Sequence, residues 1–143
     1  MEKRFDAIVI GAGSGLIISS ELASRGFKVA LVEQDAFGGT CLNRGCIPSK
    51  MLIRSADVMD EIKRAPMLGI NARIERIDWK KIMSRVNSFV DAEANELEKS
   101  NKADKNIKVY KETARFVGKK RLKVGNGIIT ADKTFYPANS RTR

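Results

Sequence analysis

The sequence predicts an α/β fold in which a parallel β-sheet is built around a βαβ unit. Two observations indicate this. First, a cluster of glycines separates an apolar, β-branched run from a helical pattern, and a second apolar run follows that helix. Second, after two further helical segments the hydrophobic period changes to two, which is typical of short strands. The length of 143 residues is enough for one such domain.

The βαβ unit occupies the N-terminal part of the chain. Phe5–Ile10 is short and nearly all apolar, which predicts a buried parallel strand. Leu16–Arg25 has helical spacing, and Gly26 is a natural stop after it. Lys28–Glu33 is predicted to be the second strand. The crossover in such a unit is nearly always right-handed.

Two helices are expected next. The first follows the loop Gln34–Thr40 and extends from Cys41 to about Arg64. The second begins after Asp78, a suitable N-cap, and its apolar residues recur every three or four positions. Trp79 opens this apolar face, so we expect its side chain in the core rather than in a ligand site.

The C-terminal part is predicted to form a small antiparallel β-meander. Its expected strands are Ile107–Tyr110, Ala114–Val117, Arg121–Val124 and Ile128–Ala131. Gly125-Asn126-Gly127 is a hairpin turn between the last two strands. We expect the domain to span residues 1–133 and an irregular tail to span 134–143, because Pro137 would interrupt a central strand.

The composition argues against several kinds of function. There is no histidine, which removes the commonest general base and metal ligand. No apolar run reaches the ~18 residues of a membrane helix, and glycines interrupt the only stretch that resembles a signal peptide. We therefore expect a cytoplasmic protein with no membrane partner.

The net charge of +10 is unevenly placed, with ten basic residues between Lys99 and Lys123 against two acidic ones. A basic segment is compatible with nucleic-acid binding, but no aromatic pattern or nucleic-acid motif accompanies this one. We interpret it as a solvated surface and expect no nucleic-acid partner.

The segment Gly11–Gly15 (GAGSG) follows a strand and opens a helix, as a dinucleotide-binding turn does. Gly11 would permit the tight turn, and Gly13 would let the backbone approach a pyrophosphate at the positive end of the helix. Glu33 lies 22 residues after Gly11, where a carboxylate accepts a hydrogen bond from an adenosine ribose. Leu16 occupies the third glycine position of the G-x-G-x-x-G pattern, so Gly15 is expected to provide the close helix–strand packing.

The segment Gly38–Lys50 (GGTCLNRGCIPSK) holds both cysteines, Cys41 and Cys46. Two thiols five residues apart at a helix start can close a small ring and cycle between dithiol and disulfide. The helix N-terminus, with Arg44 and Lys50, is expected to favour the thiolates and lower their pKa. A zinc site would need carboxylate ligands, because there is no histidine and no other cysteine. A pair of buried structural thiols stays an alternative on spacing alone.

At these residues the chain resembles the flavin-dependent pyridine nucleotide–disulfide oxidoreductases, from about Phe5 to Asp132. Within that family it is most similar to the dihydrolipoamide dehydrogenases, with mercuric and mycothione reductases as alternatives. The resemblance implies a Rossmann-like FAD-binding domain. Eight residues would contribute to the FAD site: Gly11, Gly13, Gly15 and Glu33 at the ADP half, Gly39, Thr40 and Lys50 toward the flavin, and Ala114 beside the adenine.

The resemblance also implies a redox function. Cys46 would lie nearest the isoalloxazine and Cys41 would exchange with the substrate. Electrons would pass from a dithiol, dihydrolipoamide being favoured, through the two cysteines to FAD and then to NAD⁺. Full-length relatives are homodimers, with a nicotinamide domain and a C-terminal domain that supplies a catalytic histidine.

Those further domains cannot be encoded in 143 residues, so NAD would bind only through a domain that this chain does not contain. We expect an incomplete FAD domain whose C-terminal residues come from a truncated or frameshifted product. The alternative function is that of a catalytically inactive FAD-domain fragment.

Overall fold

A computed structural model describes residues 2–136, which form one six-stranded sheet with helices around it. The strands are β1 (Glu2–Ile10), β2 (Val29–Val32), β3 (Ile107–Tyr110), β4 (Ala114–Gly118), β5 (Arg121–Val124) and β6 (Gly127–Phe135). The helices are α1 (Gly15–Ser24), α2 (Gly39–Arg44), α3 (Cys46–Arg64) and α4 (Trp79–Ala103), with a 3-10 turn at Ala65–Leu68. The strand order is β3-β2-β1-β6-β5-β4.

Strand β1 lies at the centre of the sheet and pairs in parallel with β2 on one side and β6 on the other. The predicted α/β class and the βαβ unit are confirmed. Strand β1 starts at Glu2, three residues before the predicted Phe5, because its first half pairs with β6. That pairing joins residues from opposite ends of the sequence.

The predicted β-meander is only partly correct. Strands β4, β5 and β6 pair antiparallel, and Val124 pairs with Gly127 across the predicted hairpin turn. Strand β3 does not join them, because it pairs in parallel with β2 at the opposite edge of the sheet. Parallel pairing places the cleft described below at the carboxyl ends of β1 and β2.

Strand β6 continues to Phe135, two residues beyond the predicted domain boundary at 133. Thr134 and Phe135 pair with Ile8 and Val9, so they belong to the sheet rather than to an irregular tail. Pro137 and the rest of the predicted tail lie outside the described residues.

The sheet buries apolar residues on both faces. On one face, Val9 and Leu31 pack with Ala23 of α1 and with Phe37 from the loop after β2. The cluster on the other face consists entirely of strand residues, including the fully buried Leu122. Leu122 of β5 belongs to the same buried cluster as residues of β1 and β2, although β5 pairs with neither strand.

Helices α3 and α4 form a hairpin that is exposed over much of its surface. Helix α3 buries none of its residues, and α4 buries mainly Val86, Val90 and Ala94. The Asp78 N-cap is confirmed, since its Oδ1 accepts a 2.9 Å hydrogen bond from the Lys81 N–H. The prediction that Trp79 lies in the core is wrong, because its side chain is 61% exposed. Periodicity identified an apolar face but not what covers each part of it.

Within residues 2–136, no helix combines the length and the hydropathy needed to cross a membrane.

The exposure of Trp79 can be tested by comparing two substitutions on α4. Trp79→Ala should change the free energy of unfolding by less than ~0.5 kcal/mol, because little apolar area is lost from the core. Val86→Ala should cost about 1–2 kcal/mol, because Val86 is 2% exposed and leaves a cavity. Urea denaturation measures both, and a larger loss for Trp79→Ala than for Val86→Ala would contradict this placement.

Candidate functional site

The glycine turn leads from the carboxyl end of β1 into α1, and it is hydrogen-bonded to the carboxyl end of β2. Gly11 has a φ of +103°, and its N–H donates a 2.8 Å hydrogen bond to the Val32 carbonyl. Gly15 is buried at the first position of α1, as its expected packing role requires. Ser14 makes no side-chain hydrogen bond to α1, so no capping side chain occupies the N–H groups at this positive helix end.

The backbones of Gly13 and Gly39 are in direct contact. A Cβ added to Gly39 would lie 2.8 Å from the Gly13 Cα, and Gly39 itself has a φ of +63°. Beside this contact, the Gly38 N–H donates a 2.7 Å hydrogen bond to the Ala12 carbonyl. Contacts between backbone atoms therefore hold the glycine turn against the start of the thiol segment, the cysteine-containing stretch Gly38–Lys50. No pattern in the sequence predicts that Gly13 also serves this contact.

Glu33 fastens the glycine turn to the loop after β2. Its Oε2 accepts a 2.8 Å hydrogen bond from the Ala12 N–H, and its Oε1 accepts one of the same length from the Asp35 N–H. Each carboxylate oxygen has a second lone pair, so a ribose hydroxyl can still donate to this group. The carboxylate lies at the end of β2, as predicted, with a structural role in addition to the expected one.

The cysteines lie on two helices rather than on the single helix predicted from Cys41. The chain breaks at Gly45, so that α2 contains Cys41 and α3 begins with Cys46. A Cβ on Gly45 would lie 3.0 Å from the Thr40 carbonyl oxygen and 3.4 Å from the Cys41 Cα. The absence of a side chain there lets the start of α3 turn back toward Cys41. Both thiols are free and exposed, so the alternative of two buried structural thiols is wrong.

The two thiols interact directly. A hydrogen bond with the Cys46 side chain raises the pKa of Cys41 above its ordinary value, and the negative charge of an ionised Cys46 acts in the same direction. The Cys46 N–H and Lys50 oppose this effect without overcoming it. The expectation of a lowered pKa is therefore wrong for Cys41, because its neighbouring thiol outweighs the helix dipole and the nearby cations.

Polar contacts fix the loop that connects β2 to the thiol segment. Asn43 donates 2.9 Å hydrogen bonds from Nδ2 to the carbonyls of Phe37 and Gly39. Arg44 forms a 2.8 Å ion pair with Asp35, and the Ala36 N–H, followed by Arg44, lowers the pKa of the Asp35 carboxyl. Residues between the two cysteines thus hold the loop. Asn43 and Asp35 were not singled out from the sequence, where each looks like an ordinary turn residue.

A cleft of about 690 Å³ brings most of the predicted site residues together. The predicted residues that line it are Gly11, Gly13, Glu33, Gly39, Thr40, Cys41 and Ala114. Gly15 is buried at the start of α1, and neither Cys46 nor Lys50 lines the cleft.

The cleft wall beside Ala114 adds residues that the sequence did not indicate. Thr113 donates a 3.1 Å hydrogen bond from Oγ1 to Gln34 Oε1, which links β2 to the start of β4. Arg115 and the half-exposed Phe116 follow on β4 and also line the cleft. Only their position next to Ala114 could have suggested them. No group of three or more metal-ligating side chains occurs within residues 2–136.

Comparison with known proteins identifies the family of this arrangement. Residues 5–136 match the family described as "Pyridine nucleotide-disulphide oxidoreductase". The chain belongs to this family. It is 41% identical over 140 residues to dihydrolipoyl dehydrogenase from Chlamydia pneumoniae, a match that covers 97% of this chain and 29% of the relative.

Two further comparisons agree with this assignment. Mycothione reductase from Mycobacterium tuberculosis is 42% identical over 113 residues, which cover 78% of this chain and 24% of the relative. The solved structure of the HOCl-induced flavoprotein disulfide reductase RclA from Escherichia coli superposes with a TM-score of 0.77 at 30% identity. That match covers 96% of this chain and 29% of RclA. The chain therefore spans less than a third of the length of these relatives.

The site fits FAD, the cofactor of this oxidoreductase family. Positive-φ glycine backbone and the start of α1 lie at one end of the cleft, where a pyrophosphate would be held. Glu33 would offer a carboxylate to the ribose, and the β4 wall would offer backbone and apolar surface to the adenine. The FAD expectation is thus confirmed for the family, and NAD binding requires parts of the relatives that this chain does not cover.

The Gly13–Gly39 contact can be tested with a matched pair of glycine substitutions. Gly39→Ala should lower the free energy of unfolding by about 3 kcal/mol or more, because it adds a backbone overlap to a left-handed conformation. Gly69→Ala should cost only about 1 kcal/mol, because Gly69 has a φ of +77° but no atom within 4 Å of the added Cβ. Equal losses in urea denaturation would show that the backbones of Gly13 and Gly39 do not constrain each other.

The interaction of the two thiols predicts the pH dependence of Cys41 alkylation. Cys46→Ala removes the main cause of the raised pKa and keeps the backbone N–H, so the rate of reaction with iodoacetamide should rise at lower pH than in the reduced wild type. Lys50→Met should move the profile the opposite way, because it removes a stabilising cation. Peptide mass spectrometry measures the reaction at Cys41. An unchanged midpoint in Cys46→Ala would contradict the coupling.

Proposed function

We propose that the chain is the N-terminal FAD-binding part of a dithiol–disulfide oxidoreductase that oxidises dihydrolipoamide with NAD⁺. The observation that supports this most directly is the hydrogen-bonded thiol pair beside a dinucleotide-type cleft. The free thiols are exposed, and Cys41 lines the same cleft as the glycine turn and Glu33. A substrate thiol can therefore reach the pair from solvent.

The chemistry of the thiols follows from thiol–disulfide exchange. In the oxidised form, a thiolate of the substrate attacks the Cys41 sulfur, a mixed disulfide forms, and Cys46 leaves as a thiolate. The second thiolate of the same substrate molecule then attacks the substrate sulfur that is bonded to Cys41, and Cys41 leaves as a thiolate. The substrate becomes a disulfide, and the cysteine pair gains two electrons. FAD, when bound, takes up these two electrons and delivers them to NAD⁺.

We assign different tasks to the two cysteines. Cys41 lines the cleft, and the hydrogen bond with the Cys46 side chain raises its pKa, which suits a thiol that forms and releases the mixed disulfide. Cys46 is the first residue of α3, where the helix dipole favours negative charge. These 143 residues contain no histidine, so a histidine base for the substrate proton would have to come from outside them.

Dihydrolipoamide is the proposed dithiol because the similarity to a dihydrolipoyl dehydrogenase extends over 97% of the chain. Mycothione reductase activity is the second candidate, because the chain is 42% identical to a mycothione reductase. That similarity extends over a smaller part of the chain, 78%. Mercuric reductase stays a third candidate within the same chemistry. A catalytically inactive fragment that keeps the fold without turnover is the alternative to an enzyme.

The proposal is tested by reconstituting the purified chain with FAD, removing the excess and recording the visible spectrum. We expect retained flavin, and a long-wavelength charge-transfer band after reduction with dithiothreitol, because a Cys46 thiolate would then lie against the flavin. Cys46→Ser should keep the flavin and lose the band. Cys41→Ser should show the band without reductant, because Cys46 then has no disulfide partner.

Two outcomes would count against the proposal. Retained flavin with no band in either the wild type or Cys41→Ser would separate the thiols from the flavin and contradict their redox role. Failure of the folded chain to retain flavin would favour the inactive-fragment alternative. Circular dichroism of each variant shows whether it has folded.

A further inference from the structure

A second pocket lies at the amino ends of the parallel strands, at the edge of the sheet opposite the FAD cleft. Its volume is about 340 Å³. It is formed by residues near the start of β1, by the residue before β2, and by the end of the loop before β3 with the first two residues of that strand. Strands β3, β2 and β1 are adjacent and parallel, so their amino ends meet there. None of the residues that line the cleft lines this pocket.

The pocket is lined by basic side chains and by no acidic one. The basic residues are Lys3, Arg4, Lys28, Lys105 and Lys108. Arg4 forms a 2.9 Å ion pair with Asp132, whereas the other four make no ion pair with any residue in 2–136. Asp6 and Asp104 lie nearby in the chain, but each carboxylate accepts a backbone N–H, from Lys28 and Asn106 respectively. Four lysines without an ion pair thus line one concavity, against the two neighbouring carboxylates of Asp6 and Asp104.

A hydrogen-bonded asparagine sets the position of one of these charges, the Lys28 ammonium group. Asn106 Oδ1 accepts a 2.8 Å hydrogen bond from Lys28 Nζ, and its Nδ2 donates a 3.0 Å hydrogen bond to the Ala23 carbonyl. This contact holds the Lys28 side chain in place rather than leaving it in solvent. Phe5 and Ile107 supply apolar walls. Like charges held against a wall of low dielectric concentrate a positive potential in the pocket.

We propose that this amino-end pocket binds a compact polyvalent anion of the phosphate class, such as the triphosphate group of a small molecule. The pocket is small, and four lysines without an ion pair around so small a space match an anion that carries several charges on adjacent atoms. An acidic peptide spaces its carboxylates along an extended chain at about 3.3–3.6 Å per residue, so few of them would enter. Lysine ammonium groups bind phosphate as point charges with three donors each.

The proposal is tested by titrating inorganic tripolyphosphate into the full chain at 150 mM salt. We expect one bound anion per chain by calorimetry, and shifts of the backbone amide NMR signals of residues 3–5, 28 and 105–108. Lys105→Ser with Lys108→Ser should weaken binding by about tenfold or more, because the variant loses two of the charged donors. Lys119→Ser with Lys123→Ser is the matched control, because both lysines are exposed and outside the pocket.

The control pair should bind tripolyphosphate within about twofold of the wild type. Equal weakening in the two double variants would show general charge screening and overturn the proposal. Amide shifts confined to residues 11–16 would place the anion at the glycine turn and also overturn it. Tighter binding of an acidic peptide or of double-stranded DNA than of tripolyphosphate would assign the pocket to a macromolecular partner instead. A parallel titration with ATP distinguishes a nucleotide from free polyphosphate, provided that the same 105–108 signals move.

Discussion

The contact between Gly13 and Gly39 is the constraint on which the site depends. Because two backbones touch there, the glycine turn and the thiol segment cannot move apart without losing the Gly38–Ala12 hydrogen bond as well. Glu33 reinforces the same junction by holding the Ala12 and Asp35 amides. The distance between the dinucleotide end of the cleft and the cysteine pair is therefore fixed by main-chain atoms, which do not vary with side-chain rotamers. The redox pair proposed above needs that precision to meet a cofactor.

The sequence was most informative where local chemistry determines local structure. The strand Phe5–Ile10, the glycine turn, the Asp78 cap and the Gly125–Gly127 hairpin turn each depend on residues close together in the chain, and each was predicted correctly. Most of the predicted site residues also meet in one cleft, because parallel strands bring their carboxyl ends to the same edge. The family resemblance rests on the same short motifs.

The failures share a different cause. Strand β3 was placed in the meander because period-two patterning does not report which strand is the neighbour. Trp79 was placed in the core because helical periodicity does not report what covers a face. The pKa of Cys41 was expected to fall because the nearest cations were visible in the sequence, whereas the opposing hydrogen bond forms only when Gly45 breaks the helix. Each error concerns a tertiary contact that propensity and spacing do not contain.

The pairing of β1 with β6 has a consequence for how the chain is made. Strand β1 emerges from the ribosome first, but its second neighbour ends at Phe135. At a synthesis rate of roughly 5–20 residues per second, the edge of β1 that pairs with β6 stays unpaired for about 5–20 s after β2 has been synthesised. During that interval an apolar strand presents unpaired N–H and C=O groups, which template association with other chains. The order of the strands thus leaves the nascent chain open to such association until β6 has been synthesised.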